Sequence, residues 1–506
     1  MNRYATFALP AFLLAAFPVY AATVTSSCES LASLELPSAT ITMAKTVPAG
    51  GFTLTGRGGA SAPVADLPPF CRVAATLKPT SDSDIKIEVW LPLADWNGKF
   101  LATGNGGWGG SLAYGDMVQD LRRGYATAST DTGHSGGSAS FALGHPEKLI
   151  DYAYRSEHEM TLKAKALIEK FYGNSPRYSY FDSCSSGGKQ GVTEAQRYPN
   201  DYDGIVAGAP ANYMMHLQAE RIWIAQAVHK NPESYIPAEK YPVIHNAVLA
   251  ACDALDGVKD GLIENPRACH FDPAVVACKN GDGPDCLTAL QVEAAKKIYA
   301  GAKNPRTGEE IFPGLEPGGE LLWSRLAGPQ PIPLATDTFK YVVFQDPNWD
   351  YLTLNFDEDI ARADKIDGGV NNAIDPNLKP FFAHQGKLLM YHGWSDQQIP
   401  PGGTVNYYGN IVKAVGGPAK AGDSVRLFMV PGMGHCGGGD GPNVFDTVTA
   451  LEQWVEQGKA PEKMIASHAT NGTVDRTRPL CPYPQVAHYK GSGSVDDAAN
   501  FSCKAP

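Results

Sequence analysis

Residues 178–191 read YSYFDSCSSGGKQG. The first seven, aromatic and extended in character, form a strand; GGKQGVTEAQRYP (187–199) continues as a helix, and DGIVAGAP (203–210) is a second strand. This β-α-β succession calls for a parallel sheet with helices on its faces. At the strand-to-helix junction stands Ser183-Cys184-Ser185-Ser186-Gly187, followed by Gly188. A nucleophilic serine needs a sharp turn with small neighbours, usually G-x-S-x-G; here serine replaces the first glycine. Taken singly, the segment describes an ordinary tight turn equally well.

The pattern extends in both directions. IKIEVWLPL (85–93) alternates as a strand. KFLATGNGGWGG (99–110) and GYATASTDTGH (124–134) are strands running into loops, and residues 155–172 have helical spacing on Met160, Ala164, Leu167, Ile168 and Phe171. Regularity stops after Pro210. Prolines, scattered helices and four cysteines occupy 211 to about 380. It returns at GKLLMYHGWSD (386–396), a strand and loop, then a helix at 404–416, a strand and loop VRLFMVPGMGHC (425–436), and a helix at 445–459. The expected organisation is an α/β core, 23–210 and 386–506, interrupted by a lid at 211–385.

A serine at such an elbow is activated by an acid and a histidine that follow in that order along the chain. Asp396 and His435 each sit just past a strand, where open α/β sheets carry their sites. Alone, Asp396 is a turn residue and His435 one of twelve histidines; together with Ser185 they make a Ser-His-Asp constellation. His435 is followed by Cys436, as Ser185 is preceded by Cys184. If serine and histidine meet, the cysteines nearly meet too. A bridge between them would close about 250 residues, on the order of 5 kcal/mol in the chain-entropy treatment.

With 506 residues, 43% hydrophobic and 19% charged, the chain is globular. A net charge of −11 without a long basic run excludes a nucleic-acid partner. Residues 1–22 read as a cleaved export signal: Arg3, a short apolar core ATFALPAFLLAAF, then small residues at Ala21 and Ala22. No later segment approaches about 18 uninterrupted apolar residues, so a soluble secreted or periplasmic protein without membrane attachment is expected. Ten cysteines follow the signal, and no CxxC pair favours zinc.

The motifs YFDSCSSGGKQG, DGIVAGAPA, CDALDGVKDG, YHGWSDQQIPP, VPGMGHC and RPLCPYPQ together resemble the tannase and feruloyl esterase family, from about Cys28 to Cys503. The resemblance implies an α/β-hydrolase core in which Ser185 is nucleophile, His435 base and then acid, and Asp396 the group that orients it. It also implies five bridges: Cys28–Cys71, Cys184–Cys436, Cys252–Cys269, Cys278–Cys286 and Cys481–Cys503.

An oxyanion needs two aimed N–H donors. Ser186, after the nucleophile, supplies one. The loop GNGGWGG offers Gly106, Gly107 or Gly109 for the other, and the resemblance points to Gly107. The loop CDALDGVKDGL (252–262) spaces Asp253, Asp256 and Asp260 between glycines. That reads as a solvated acidic turn or a hard-cation loop. The resemblance implies a structural calcium held by Asp253, Asp256, Asp260 and the Val258 and Leu262 carbonyls, with no cofactor in the chemistry.

The expected reaction is hydrolysis of small aromatic-acid esters through an acyl-serine. Feruloyl-type esters come first, gallate esters second. Terephthalate monoesters come third, because AGPQPIPLATDTF (327–339), expected to face the pocket, offers no arginine for a free carboxylate. Trp223, Trp323, Trp349, Tyr341, Phe344 and Tyr351 are candidates to stack on the ring or to form the lid's own core. The reading from a different class is a catalytically inactive binding protein on the same fold.

Overall fold

The computed structural model describes residues 24–55 and 61–506, so the expected export signal lies outside the described residues. Nine strands form the central sheet: Ala39–Val47 (β1), Phe70–Leu77 (β2), Ile85–Pro92 (β3), Lys99–Ala102 (β4), Ala126–Thr130 (β5), Tyr178–Cys184 (β6), Gly204–Gly208 (β7), Lys387–Gly393 (β8) and Val425–Val430 (β9). Their spatial order is β1-β2-β3-β5-β4-β6-β7-β8-β9. The first three are antiparallel to their neighbours, and from β5 to β9 every pairing is parallel. This is the mixed sheet of an α/β-hydrolase. β1 and β2 extend it beyond the strands read from the sequence.

Parallel strands covered on both faces must be apolar on both. Successive residues accordingly enter different clusters. Phe181, Ile205, Leu388 and Leu427 pack with Met160, Phe171, Val192 and Ile411. Their neighbours Tyr180, Val206, Leu389 and Phe428 pack with Val448, Leu451 and Trp454. The first group carries the helices Ser156–Tyr172 (α2), Ser186–Arg197 (α3) and Gly402–Val415 (α5), and the second carries Thr447–Gln457 (α6). Tyr114–Arg122 (α1) buries Met117, Val118 and Leu121 against Trp90.

β7 and β8 are sheet neighbours although residues 209–386 separate them in the chain. That segment begins with Met214–His229 (α4), buried nearly all round, and its Ile222, Trp323, Leu326 and Phe339 share one cluster with Trp108, Ala139 and Tyr152 of the core. The long excursion therefore costs the sheet nothing in register: Leu389 faces Val206 directly.

Candidate active site

Ser185 stands between β6 and α3 at φ 68°, ψ −124°. A side chain at positive φ is strained and persists only where its surroundings dictate it. Here they do. The Ser185 N–H donates to the Gly208 carbonyl (2.9 Å), and the Ser185 carbonyl accepts from Ala211 (3.1 Å) and Lys189 (3.0 Å). The two glycines that follow are required by space. A Cβ on Gly187 would lie 2.0 Å from Ser183 Oγ, and one on Gly188 2.2 Å from the Gly208 oxygen. Serine at 183 fits because the side chain opposite it is absent.

The loops after β8 and β9 bring Asp396 and His435 to this serine. His435 Nε2 lies 2.9 Å from Ser185 Oγ, and His435 Nδ1 lies 2.8 Å from Asp396 Oδ2. Asp396 is 2% exposed and its Oδ1 accepts the backbone N–H of Gln398 (2.7 Å) and Ile399 (2.9 Å). Burial works to raise its carboxyl, but the facing His435 and the hydrogen bonds from His392 and His435 outweigh it and hold Asp396 well below the usual carboxylate range. A chain of this kind can take a proton from a serine hydroxyl and keep the resulting imidazolium paired.

Cys184 and Cys436 are bridged beside the pair, with Cα atoms 6.0 Å apart. The other bridges join Cys28 to Cys71, Cys252 to Cys269, Cys278 to Cys286 and Cys481 to Cys503.

Ser185, Ser186, Gly107, Trp108, Ala211, Met214, Gln218, Arg221 and Leu334 line one narrow pocket. Gly107 has φ 61°, and its carbonyl accepts from the Tyr152 hydroxyl (2.7 Å). The six lid aromatics take the second of the two roles read for them and pack into the cluster beneath the lid. Trp323 is fully buried against Tyr241 and Tyr299, Trp223 meets Phe356, and Phe344 stacks on Trp349. None of the six expected rings lines the pocket; Trp108, Met214 and Leu334 do. Arg221 is the cation that sequence reading left out. It is 3% exposed, its Nε donates to the Gln398 carbonyl (2.9 Å) and its Nη1 to Gln218 Oε1 (3.0 Å). Nothing in an alternating helix pattern distinguishes it from a surface arginine.

The acidic loop curls on itself. Asp253 accepts the N–H groups of Asp260 (3.2 Å) and Gly261 (3.1 Å), Asp256 that of Val258 (3.0 Å), and Asp260 that of Leu262 (3.2 Å) while pairing with Arg478. Burial, with the charges of Asp260 and Asp253 added, pushes the Asp256 carboxyl up to about 6. The oxygen donors are of the type a hard cation takes. The carboxylate oxygens turn to the loop's own N–H groups and to Arg478. Among the described residues, the group whose ligand atoms fall within 4.8 Å of one another is His158, Glu194 and Asp201. In that group His158 Nδ1 and Asp201 Oδ2 are 2.6 Å apart, a hydrogen bond rather than two ligands of one ion.

Among the described residues no helix is long and apolar enough to cross a membrane. The family model described as "Tannase and feruloyl esterase" matches residues 71–504. An uncharacterized esterase of Xanthomonas campestris pv. campestris is 40% identical, over 95% of this chain and 92% of that protein. A probable feruloyl esterase B-2 of Aspergillus terreus is 35% identical over 94% and 95%. The crystal structure of feruloyl esterase B from Aspergillus oryzae superposes with a TM-score of 0.89 at 31% identity, covering 94% of this chain and 99% of that one. The chain belongs to the tannase and feruloyl esterase family and is a carboxylic ester hydrolase.

Proposed function

We propose that the protein hydrolyses small esters of aromatic carboxylic acids through an acyl-enzyme on Ser185. The hydrogen-bonded line Ser185 Oγ–His435 Nε2, His435 Nδ1–Asp396 Oδ2 carries this reading. Ser185 Oγ attacks the ester carbonyl as its proton passes to His435 Nε2, and Asp396 stays ionised against the imidazolium. The N–H groups of Gly107 and Ser186 receive the oxyanion; removal of one such donor costs roughly 3 kcal/mol of barrier. His435 then protonates the departing alkoxide. Water, deprotonated by the same imidazole, releases the acid.

Feruloyl-type esters rank first. The relatives named feruloyl esterase B support this, as does a pocket with a flat indole wall, Trp108, and the apolar side chains of Met214 and Leu334. Gallate esters follow. Terephthalate monoesters stay third because two N–H groups of Arg221, which lines the pocket, are already committed to Gln398 and Gln218. Segment 211–385 acts as the lid, supplying Ala211, Met214, Gln218, Arg221 and Leu334 to the pocket. Five disulfides suit an exported protein, secreted or periplasmic. A structural calcium on the 252–262 loop would relieve the charge crowded round Asp256.

The test is the hydrolysis rate on methyl ferulate, methyl gallate and mono(2-hydroxyethyl) terephthalate, with Ser185→Ala as control. Fastest turnover of methyl ferulate, abolished by the substitution, is the expected result. Folded protein that cleaves none of the three and takes no fluorophosphonate label on Ser185 would overturn the reading.

A further inference from the structure

Asp396 is held by a second histidine. His392 lies on β8, four residues earlier, and is completely buried. Its Nε2 is 3.0 Å from Asp396 Oδ2 and 3.0 Å from the Ile399 carbonyl, and its Nδ1 is 2.8 Å from Thr404 Oγ1. These partners fix which hydrogen faces Asp396. A carboxylate and a carbonyl only accept, so Nε2 carries a hydrogen directed at both. The Thr404 hydroxyl can donate to Nδ1 or accept from it, so it anchors the ring in either case. His392 therefore presents an Nε2–H to Asp396.

The position of that N–H matters because His435 Nδ1 donates to the same oxygen, Oδ2, at 2.8 Å. Two imidazoles share one carboxylate oxygen, while two backbone N–H groups occupy the other. Arg221 adds a further charge toward this carboxylate, reaching from α4 to the Gln398 carbonyl of the same loop. An apolar side chain could fill the His392 position as well for packing alone. Only a donor here can set the rotamer and the basicity of the acid that His435 uses.

We propose that His392 is a positioning residue of the esterase reaction: its Nε2–H pins Asp396 in the orientation that meets His435 and shares the charge of Oδ2. This rests on the roles assigned above to Ser185, His435 and Asp396. Without the second donor, Asp396 is freer to turn and is a stronger base toward His435. The imidazole then holds its proton more tightly.

The experiment compares His392→Ala and His392→Gln with the parent enzyme on the best of the three esters, across pH, with melting temperatures in parallel. For His392→Ala, kcat is expected to fall about tenfold or more with KM little changed, in the range seen when orienting groups behind a site are removed. The acid limb of the kcat/KM profile is expected to move up by about half a pH unit. Glutamine retains an N–H donor and restores most of the rate and the limb. If His392→Ala lowers the melting temperature but leaves kcat and the acid limb of the folded protein unchanged, the residue only packs and the proposal fails. Should the alanine variant not fold, Thr404→Val takes its place. Loss of the hydroxyl weakens His392 as a donor, and a smaller shift of the limb in the same direction is expected; an unmoved limb overturns the proposal. Ser185→Ala in the same assay keeps the two readings apart, since a fully active alanine variant would refute the triad, whatever His392 does.

Discussion

Cys184 and Cys436, 252 residues apart in the chain, are bridged with Cα atoms 6.0 Å apart, and each adjoins one partner of the 2.9 Å Ser185–His435 hydrogen bond. The bridge ties the end of β6 to the loop after β9, two strands separated in the sheet by β7 and β8. Replacing both cysteines by alanine is expected to lower stability by about 2–5 kcal/mol. It should also reduce kcat in protein that is still folded, because catalytic groups tolerate displacements of only a fraction of an ångström. Melting temperature and kcat, measured together, separate the two effects. An unchanged kcat would show that the loops hold their own positions.

Ser185→Ala and Asp396→Asn should each cut kcat by about 10⁴-fold or more with little change in KM. In the asparagine variant His435 loses the anion that pairs with its Nδ1–H, although the packing is nearly isosteric. Steady-state kinetics on methyl ferulate is the check. A loss confined to KM would mean that these groups bind substrate and do not move protons.

Gly187→Ala tests the elbow. The added methyl would meet Ser183 Cβ at 2.5 Å as well as Ser183 Oγ, with the Asn105 carbonyl 3.1 Å away. The backbone must shift, at a cost of roughly 1–3 kcal/mol. Fluorophosphonate labelling of Ser185 should slow in step with the loss of melting temperature.

Glu157, on α2, predicts a pH effect remote from the chemistry. It is 1% exposed, and among the described residues neither carboxylate oxygen has a hydrogen-bond partner. Burial, opposed in part by Lys189, pushes its carboxyl up to about 8. A folded-state value above the unfolded one means that the folded protein binds the extra proton. Stability is therefore lost as pH rises from the unfolded value near 4.3 towards about 8. Glu157→Gln removes that loss. Its unfolding free energy should exceed the parent's at pH 8, by on the order of a few kcal/mol, and match it near pH 4.5, with the melting temperature moving in the same sense. An equal change at both pH values would contradict the assignment.

For the acidic loop, chelation followed by dialysis should lower the melting temperature if calcium is bound there, and readdition of calcium should restore it. Asp256→Asn should abolish the calcium-dependent part and leave kcat on saturating ester unchanged. Elemental analysis showing no calcium in the purified protein would dismiss the proposal.

Much of the architecture was legible in the chain because its signals are local. The strand-helix-strand run at 178–210 and the strands at 387–393 and 425–430 declare themselves by composition and by the glycines that must follow Ser185. The triad order needs only positions along the chain. β1 and β2 carry weaker marks: as a half-exposed antiparallel edge, β1 alternates loosely, and its partner is identified only by pairing. The six lid aromatics were legible as apolar but not as to direction, since periodicity does not say which of two buried faces borders a cavity.

Residue types and their order sufficed to single out Ser185, Asp396 and His435, which the fold brings into hydrogen-bond contact, and the small residues of the elbow, because turn chemistry and chain order act over a few residues at a time. Folding alone decided that Trp108, Met214 and Leu334 wall the pocket, that Arg221 braces the acid's loop, and that His392 and His435 share one oxygen of Asp396. Those are encounters between groups up to hundreds of residues apart. Packing density and the need to pair every buried donor select them, and neither is written in any single stretch of the sequence.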